Sequence, residues 1–230
     1  MTAICVTRNE SELVVGIDSM VTEDDSSGQT RNFTECKIKF ANNFYFTAMG
    51  FLGDPKKEFY LPRFVGDLCA QHSSLNAVAE AFKKKIRGPL GRALTKSRND
   101  NRSSFSALTG KRLAVLIFSG HTGIPECVII GFKFVVAKTR VSANIELERK
   151  IGVGSDKQFL WGPNDQMQEK FKTEAMQKLA TDSPNEYVRR FLACSAQSSP
   201  NSVGAPFSII SIKSDGETTW TERGPCGELP

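Results

Sequence analysis

Thr2 directly follows the initiator in MTAICVTRNESELVVGIDSM. Methionine is commonly trimmed when a small residue follows, so the mature chain is expected to begin at Thr2. A hydroxyl and a free α-amine would then sit on one residue. A hydroxyl attacks poorly unless a base takes its proton. An α-amine, with an ordinary pKa of about 7.7–8.0, suits that task near neutral pH. Three further residues fit the same chemistry. Asp18 closes LVVGID, and a carboxylate there can orient a cation or hold the chain start. Lys37 lies in KIKF, and a fixed positive charge lowers the pKa of a nearby hydroxyl or amine. Gly50 ends FYFTAMG, and a glycine N–H can approach a substrate oxyanion closely. Each also has an ordinary reading: a common Met-Thr start, an acid at a strand exit, a solvent-facing lysine, a strand-end glycine.

The elements that must position these residues are partly visible. Residues 2–8 and 13–21 read as strands joined by a turn at NESE, which brings Asp18 near the chain start. Residues 22–34 are polar and loop-like. Residues 37–41 and 44–50 form a second hairpin through Asn42–Asn43. On that strand Glu35, Lys37 and Lys39 share one face. A helix is expected near 58–71. Another carries Leu75, Val78, Ala79, Phe82 and Ile86 on one face, with Ser74 as N-cap and Gly88–Pro89 ending it. Residues 95–110 read as an exposed basic loop. Residues 113–119 and 126–135 form a third hairpin. Helices follow over about 165–181 and from Pro184, where Ser183 and Glu186 have capping-box spacing. A last hairpin turns at Asp215–Gly216, and 221–230 form a C-terminal tail. Helices gathered between blocks of antiparallel strands imply an α+β protein, a single domain over 1–230.

Bulk properties narrow the class. The chain has 230 residues, of which 40% are hydrophobic and 24% charged, which suits a folded protein with a sizeable core. No stretch approaches the ~18 apolar residues of a membrane span, and charge in TRNESE interrupts any signal peptide. No membrane partner and a cytoplasmic location are expected. The six cysteines are scattered without a CxxC pair and read as reduced thiols packed as small hydrophobes. Two histidines leave little for a histidine-rich metal site. Residues 83–112 carry a strong basic run, but no aromatic interleaving or motif supports nucleic acid binding.

Together these residues resemble the proteasome β-subunit family and its bacterial relatives, the N-terminal-nucleophile hydrolases. The resemblance rests on Thr2, on VVGIDS at 14–19, on Lys37 in CKIKF, and on TAMGFLGD at 47–54 with Gly50. IGVGSD at 151–156 and SIISIKSDG extend it weakly. It implies a four-layer αββα sandwich of two stacked antiparallel sheets flanked by helices. It implies Thr2 as nucleophile with its own amine as base, Asp18 and Lys37 as a supporting charge pair, Gly50 N–H as oxyanion donor and Ser155 in the supporting shell. It implies hydrolysis of peptide or unfolded-protein substrate in a homo-oligomeric ring or related assembly, with an unfoldase as a possible partner, and no metal or organic cofactor.

The chain departs from the family pattern at two places. Val153 stands where the family turn has its first serine, and SSPNSVGAP lacks the family's second aspartate, with Asn201 or Ser202 as replacements. Two alternatives therefore stay open: a structural subunit that keeps the fold without turnover, and an amidase acting on a small amide. Val21, Ala48, Met49 and Leu52 flank the site residues and would favour an apolar side chain beside the cut bond.

Overall fold

The computed structural model describes residues 2–24, 30–54, 56–100, 112–119, 124–138 and 140–228. The chain forms two compact units. The first comprises residues 1–38, 120–126 and 151–230, and the second 39–119 and 127–150.

The first unit is built on β1 (Ile4–Arg8), β2 (Glu12–Asp18), β10 (Gln158–Trp161), β11 (Phe207–Lys213) and β12 (Thr218–Glu222). They form one antiparallel sheet in the order β10-β1-β2-β11-β12. The β1–β2 ladder sets Ile4 opposite Ile17, so the start of one strand meets the end of the other. β2 is buried along most of its length, as expected for a central strand with neighbours on both sides. Three helices belong to this unit: α4 (Asp165–Lys170), α5 (Glu174–Asp182) and α6 (Pro184–Ser198). Tyr187, Val188, Phe191 and Leu192 form the apolar stripe of α6, and they pack with Cys5, Val14 and Ile209 of the sheet. At Gly16 the helix comes so near that a Cβ would meet Val188 Cγ1 at 2.2 Å. Only a glycine admits that approach.

The second unit holds β5 (Lys39–Ala41), β6 (Phe44–Met49), β7 (Arg112–Ser119), β8 (Cys127–Val136) and β9 (Val141–Ile151), ordered β5-β6-β7-β8-β9. Helices α1 (Leu61–Gln71), α2 (Leu75–Lys85) and α3 (Arg87–Asp100) accompany it. Val65, Leu68, Val78, Ala79, Phe82 and Leu94 share a core with Phe44, Ile117 and Ile130 of the sheet. Asn42, at φ 56°, makes the β5–β6 turn in the left-handed region that asparagine tolerates. Each unit is thus an antiparallel sheet with helices packed on it, an α+β arrangement.

Several sequence expectations need correction. The polar stretch 22–34 contains a hairpin, β3 (Met20–Asp24) with β4 (Thr30–Thr34); its cross-strand ladder prevails over its polar composition. Residues 95–100 are helical rather than loop, because Leu90 and Leu94 are buried four residues apart and carry α3 through the basic tract. Residues 101–110 lie outside the described residues. Gly88–Pro89 begins α3 rather than ending a helix, since proline is tolerated in a first turn. The helix expected over 165–181 is two, broken after Lys170 where Phe171 leaves helical geometry. Ser183 precedes α6, but its side chain makes no cap bond; its N–H already closes α5 on Leu179 O. Ser74 does cap α2, accepting from Ala77 N–H. β9 and β10 have no counterpart in the sequence expectations. Lys83 of the basic run is paired with Glu80 and Glu148, and Arg98 donates to Ala137 O.

Cys36 and Cys226 are joined as a disulfide, correcting the expectation that all six thiols are reduced. They stand 190 residues apart in sequence, so local spacing carries no sign of the pairing. Cys5, Cys69 and Cys127 are free and buried. Among the described residues no helix is long and apolar enough to cross a membrane.

Candidate active site

The site grows out of the β1–β2 hairpin. Backbone pairing continues past the strand end: Asp18 N–H donates to Ala3 O at 3.2 Å. The Asp18 side chain then turns back on the same residue, with Oδ1 accepting Ala3 N–H at 2.8 Å. Both bonds fix Ala3, and Ala3 fixes the half-buried Thr2 ahead of it. The carboxylate is fully buried.

Lys37 arrives from the irregular stretch 35–38, between β4 and β5. It lies ahead of β5, so Glu35, Lys37 and Lys39 do not share a strand face as expected. Its ammonium has three N–H donors. They have three acceptors: Met20 O at 2.6 Å, Asp18 Oδ2 at 3.1 Å and Thr2 Oγ1 at 3.3 Å. The geometry uses every donor of the charged form. Because Lys37 donates to Thr2 Oγ, the hydroxyl keeps its own proton free for another base.

Burial pushes the Asp18 carboxyl above its ordinary range, opposed by Lys37 and the Ala3 N–H. Burial likewise pushes Lys37 down, opposed by Asp18 and by Glu35. Both carboxylate oxygens are occupied as acceptors, one of them by an ammonium, which suits the ionised form of Asp18. The result is a buried ion pair whose cation faces a threonine hydroxyl. Such a charge favours the alkoxide and lowers the cost of deprotonating Thr2.

Thr2, Asp18 and Lys37 are thus brought together within the first unit. Gly50 belongs to the second unit, exposed at the end of β6 with φ 86°, a conformation that favours glycine. Ser155 is exposed on the turn after β9, beside the exposed Val153 and Gly154 at φ 71°. Among the described residues Ser155 makes no hydrogen bond to Thr2, Asp18 or Lys37, and neither does Asn201 or Ser202, which lie in the turn after α6. Of the pocket candidates, Ala48 and Leu52 pack against the core of the second unit, Met49 is buried, and Val21 lies on β3.

Sequence reasoning missed two supports. The Met20 carbonyl holds Lys37, and no residue type signals a backbone acceptor. Ser19, fully buried beside Asp18, lies 3.3 Å from Ser208 Oγ on β11, and Ser208 is 3.3 Å from Cys226 Sγ. The serine in VVGIDS was visible, but its partner is distant in sequence. No group of three or more His, Cys, Asp or Glu suited to a metal occurs among the described residues.

No protein-family model matches the chain. No curated protein matches it either. Among solved structures, a mutant of Anbu from Hyphomicrobium sp. strain MC1 is similar, with a TM-score of 0.54 at 12% identity. The match covers 99% of this chain and 88% of that one. At that identity the likeness concerns the fold.

Proposed function

We propose that this chain is an N-terminal-nucleophile hydrolase that cleaves peptide bonds, with Thr2 as the nucleophile. The observation that carries this is the contact of Lys37 Nζ with Thr2 Oγ1, made by an ammonium already held on buried Asp18. The fold likeness to Anbu supports the fold that this reading requires.

Once whatever precedes Thr2 is removed, its α-amine becomes the base. The amine takes the hydroxyl proton as Oγ attacks the amide carbon. Lys37 stabilises the developing alkoxide, and Asp18 keeps Lys37 charged and in place. The N–H of Gly50 stabilises the oxyanion of the tetrahedral intermediate. The protonated amine then gives its proton to the leaving nitrogen, and water hydrolyses the acyl ester. The four-layer αββα sandwich, a ring or related homo-oligomer, an unfolded-protein substrate and an unfoldase partner all belong to this proposal.

The alternative, a structural subunit without turnover, is favoured by the isolation of Ser155 from Thr2. A panel of fluorogenic peptides separates the two. Hydrolysis by the wild type and its loss in Thr2→Ala supports the enzyme; equal traces from both proteins support the structural subunit.

A further inference from the structure

We propose that the Cys36–Cys226 disulfide is a redox-controlled positioning device for Lys37. The inference rests on the proposed role of Lys37 at Thr2. Lys37 lies in a stretch, 35–38, with no strand ladder. The disulfide fastens the residue immediately before it. Glu35 N–H, donating to Ser19 O at 2.9 Å, is a second backbone anchor of this stretch.

The other end of the bridge is firmly seated. Cys226 is buried in a turn, its N–H donating to Arg223 O at 3.1 Å and its carbonyl accepting from Arg223 Nε at 2.7 Å. Gly224, at φ 54°, sits so tightly that a Cβ would lie 2.6 Å from both Phe207 O and Ser208 Oγ. Phe207 is the register partner of Asp18, and Ser208 adjoins Ser19. The tail turn is therefore packed on the very strand pair that carries Asp18. The disulfide thus ties the segment bearing Lys37 to a tail turn that packs on β11 beside Asp18. Cys36 is partly exposed while Cys226 is buried, so a reagent reaches the Cys36 sulfur first.

Reduction by a dithiol balances as follows. One thiolate of the reagent attacks Cys36 Sγ, the S–S bond breaks, and Cys226 leaves as thiolate and takes a proton. The second reagent thiol displaces Cys36 and closes the reagent's own disulfide. Two electrons and two protons pass to the cysteine pair. Cys226 keeps its turn, whereas Cys36 is released with the segment bearing Lys37. Disulfides persist in oxidising compartments and are usually transient or redox-sensing in a reducing cytosol. The bond accordingly serves as a permanent brace in the first setting and as a switch in the second.

The test uses the full chain, oxidised or treated with dithiothreitol under native conditions, with the bond state verified by alkylation and mass spectrometry. The first readout is the rate at which an amine-reactive acylating reagent labels Lys37, relative to exposed Lys57. The second is kcat and KM for a hydrolysed peptide. Reduction is expected to speed Lys37 labelling and to lower kcat by about tenfold, with KM nearly unchanged, as for a group acting in the transition state. Reoxidation restores both, and Cys36→Ser behaves as the reduced protein in either condition. If Cys36→Ser fails to fold, near-UV circular dichroism of the reduced wild type carries the test. Equal Lys37 labelling in the two bond states overturns the inference. Absent hydrolysis in both states overturns the proposed activity, while the labelling still decides the positioning role.

Discussion

Replacing Lys37 with Met removes an ammonium and leaves its partner stranded. The Asp18 side chain has 0% exposure and that of Lys37 11%, so the pair is largely shielded from water. In the variant Asp18 keeps only the Ala3 N–H among its two side-chain partners. Breaking a buried pair by removing one member costs about 3–5 kcal/mol. The slight exposure of Lys37 favours the low end, about 3 kcal/mol. The cost is electrostatic, so it depends on pH. Burial already raises the folded pKa of Asp18 above its unfolded value of about 3.9, and loss of Lys37 raises it further. Between those two values the native state binds more protons than the unfolded state, so the variant regains stability as pH falls through its raised folded pKa. Urea unfolding of wild type and Lys37→Met, followed by Trp161 and Trp220 fluorescence at pH 7.5 and at pH values descending toward 4, reads this directly. The gap between the proteins should narrow with acidity, and adding Asp18→Asn should close most of it at neutral pH. A penalty that stays constant with pH, or falls below about 1 kcal/mol at pH 7.5, would refute the reasoning.

Other consequences are equally specific. Gly16→Ala forces a Cβ into Val188, and overpacking of this kind costs about 1–3 kcal/mol, measurable as a lower Tm. The disulfide closes a loop of 190 residues, so Cys36→Ser/Cys226→Ser should lose up to about 5 kcal/mol in denaturant titration, by the loop-entropy relation. Gly50→Ala must hold a side chain at φ 86°, costing about 1–2 kcal/mol of stability. The N–H survives the substitution, so if it binds the oxyanion, relaxation of the backbone away from φ 86° should misplace that donor and lower kcat, by up to about 100-fold, the cost of losing one donor.

The sequence revealed local patterns better than distant pairings. Asn42–Asn43, Ser74 and the Leu75–Ile86 face act through neighbours a few residues away, and the structure has them as turn, cap and core face. The hairpin that joins Ala3 to Asp18 was legible for the same reason, being a short turn between two apolar runs. Lys37 was found as a residue type, but its position ahead of β5 was not, because the Met20 carbonyl and the Cys36–Cys226 bond decide it. β9 escaped because VSANIELERKI carries many charges that only its sheet neighbour reconciles with a strand. The β3–β4 hairpin was hidden by polar composition in the same way.

The most direct test of Thr2 as nucleophile and base uses a peptide epoxyketone, which closes a ring on an N-terminal threonine by bonding both its hydroxyl and its α-amine. The purified native chain is treated and mapped by peptide mass spectrometry. The account predicts one adduct per chain, on a Thr2 freed of Met1, absent in Thr2→Ala and slowed in Lys37→Met. An unmodified chain that retains Met1, or an adduct formed equally well without Thr2, would contradict it.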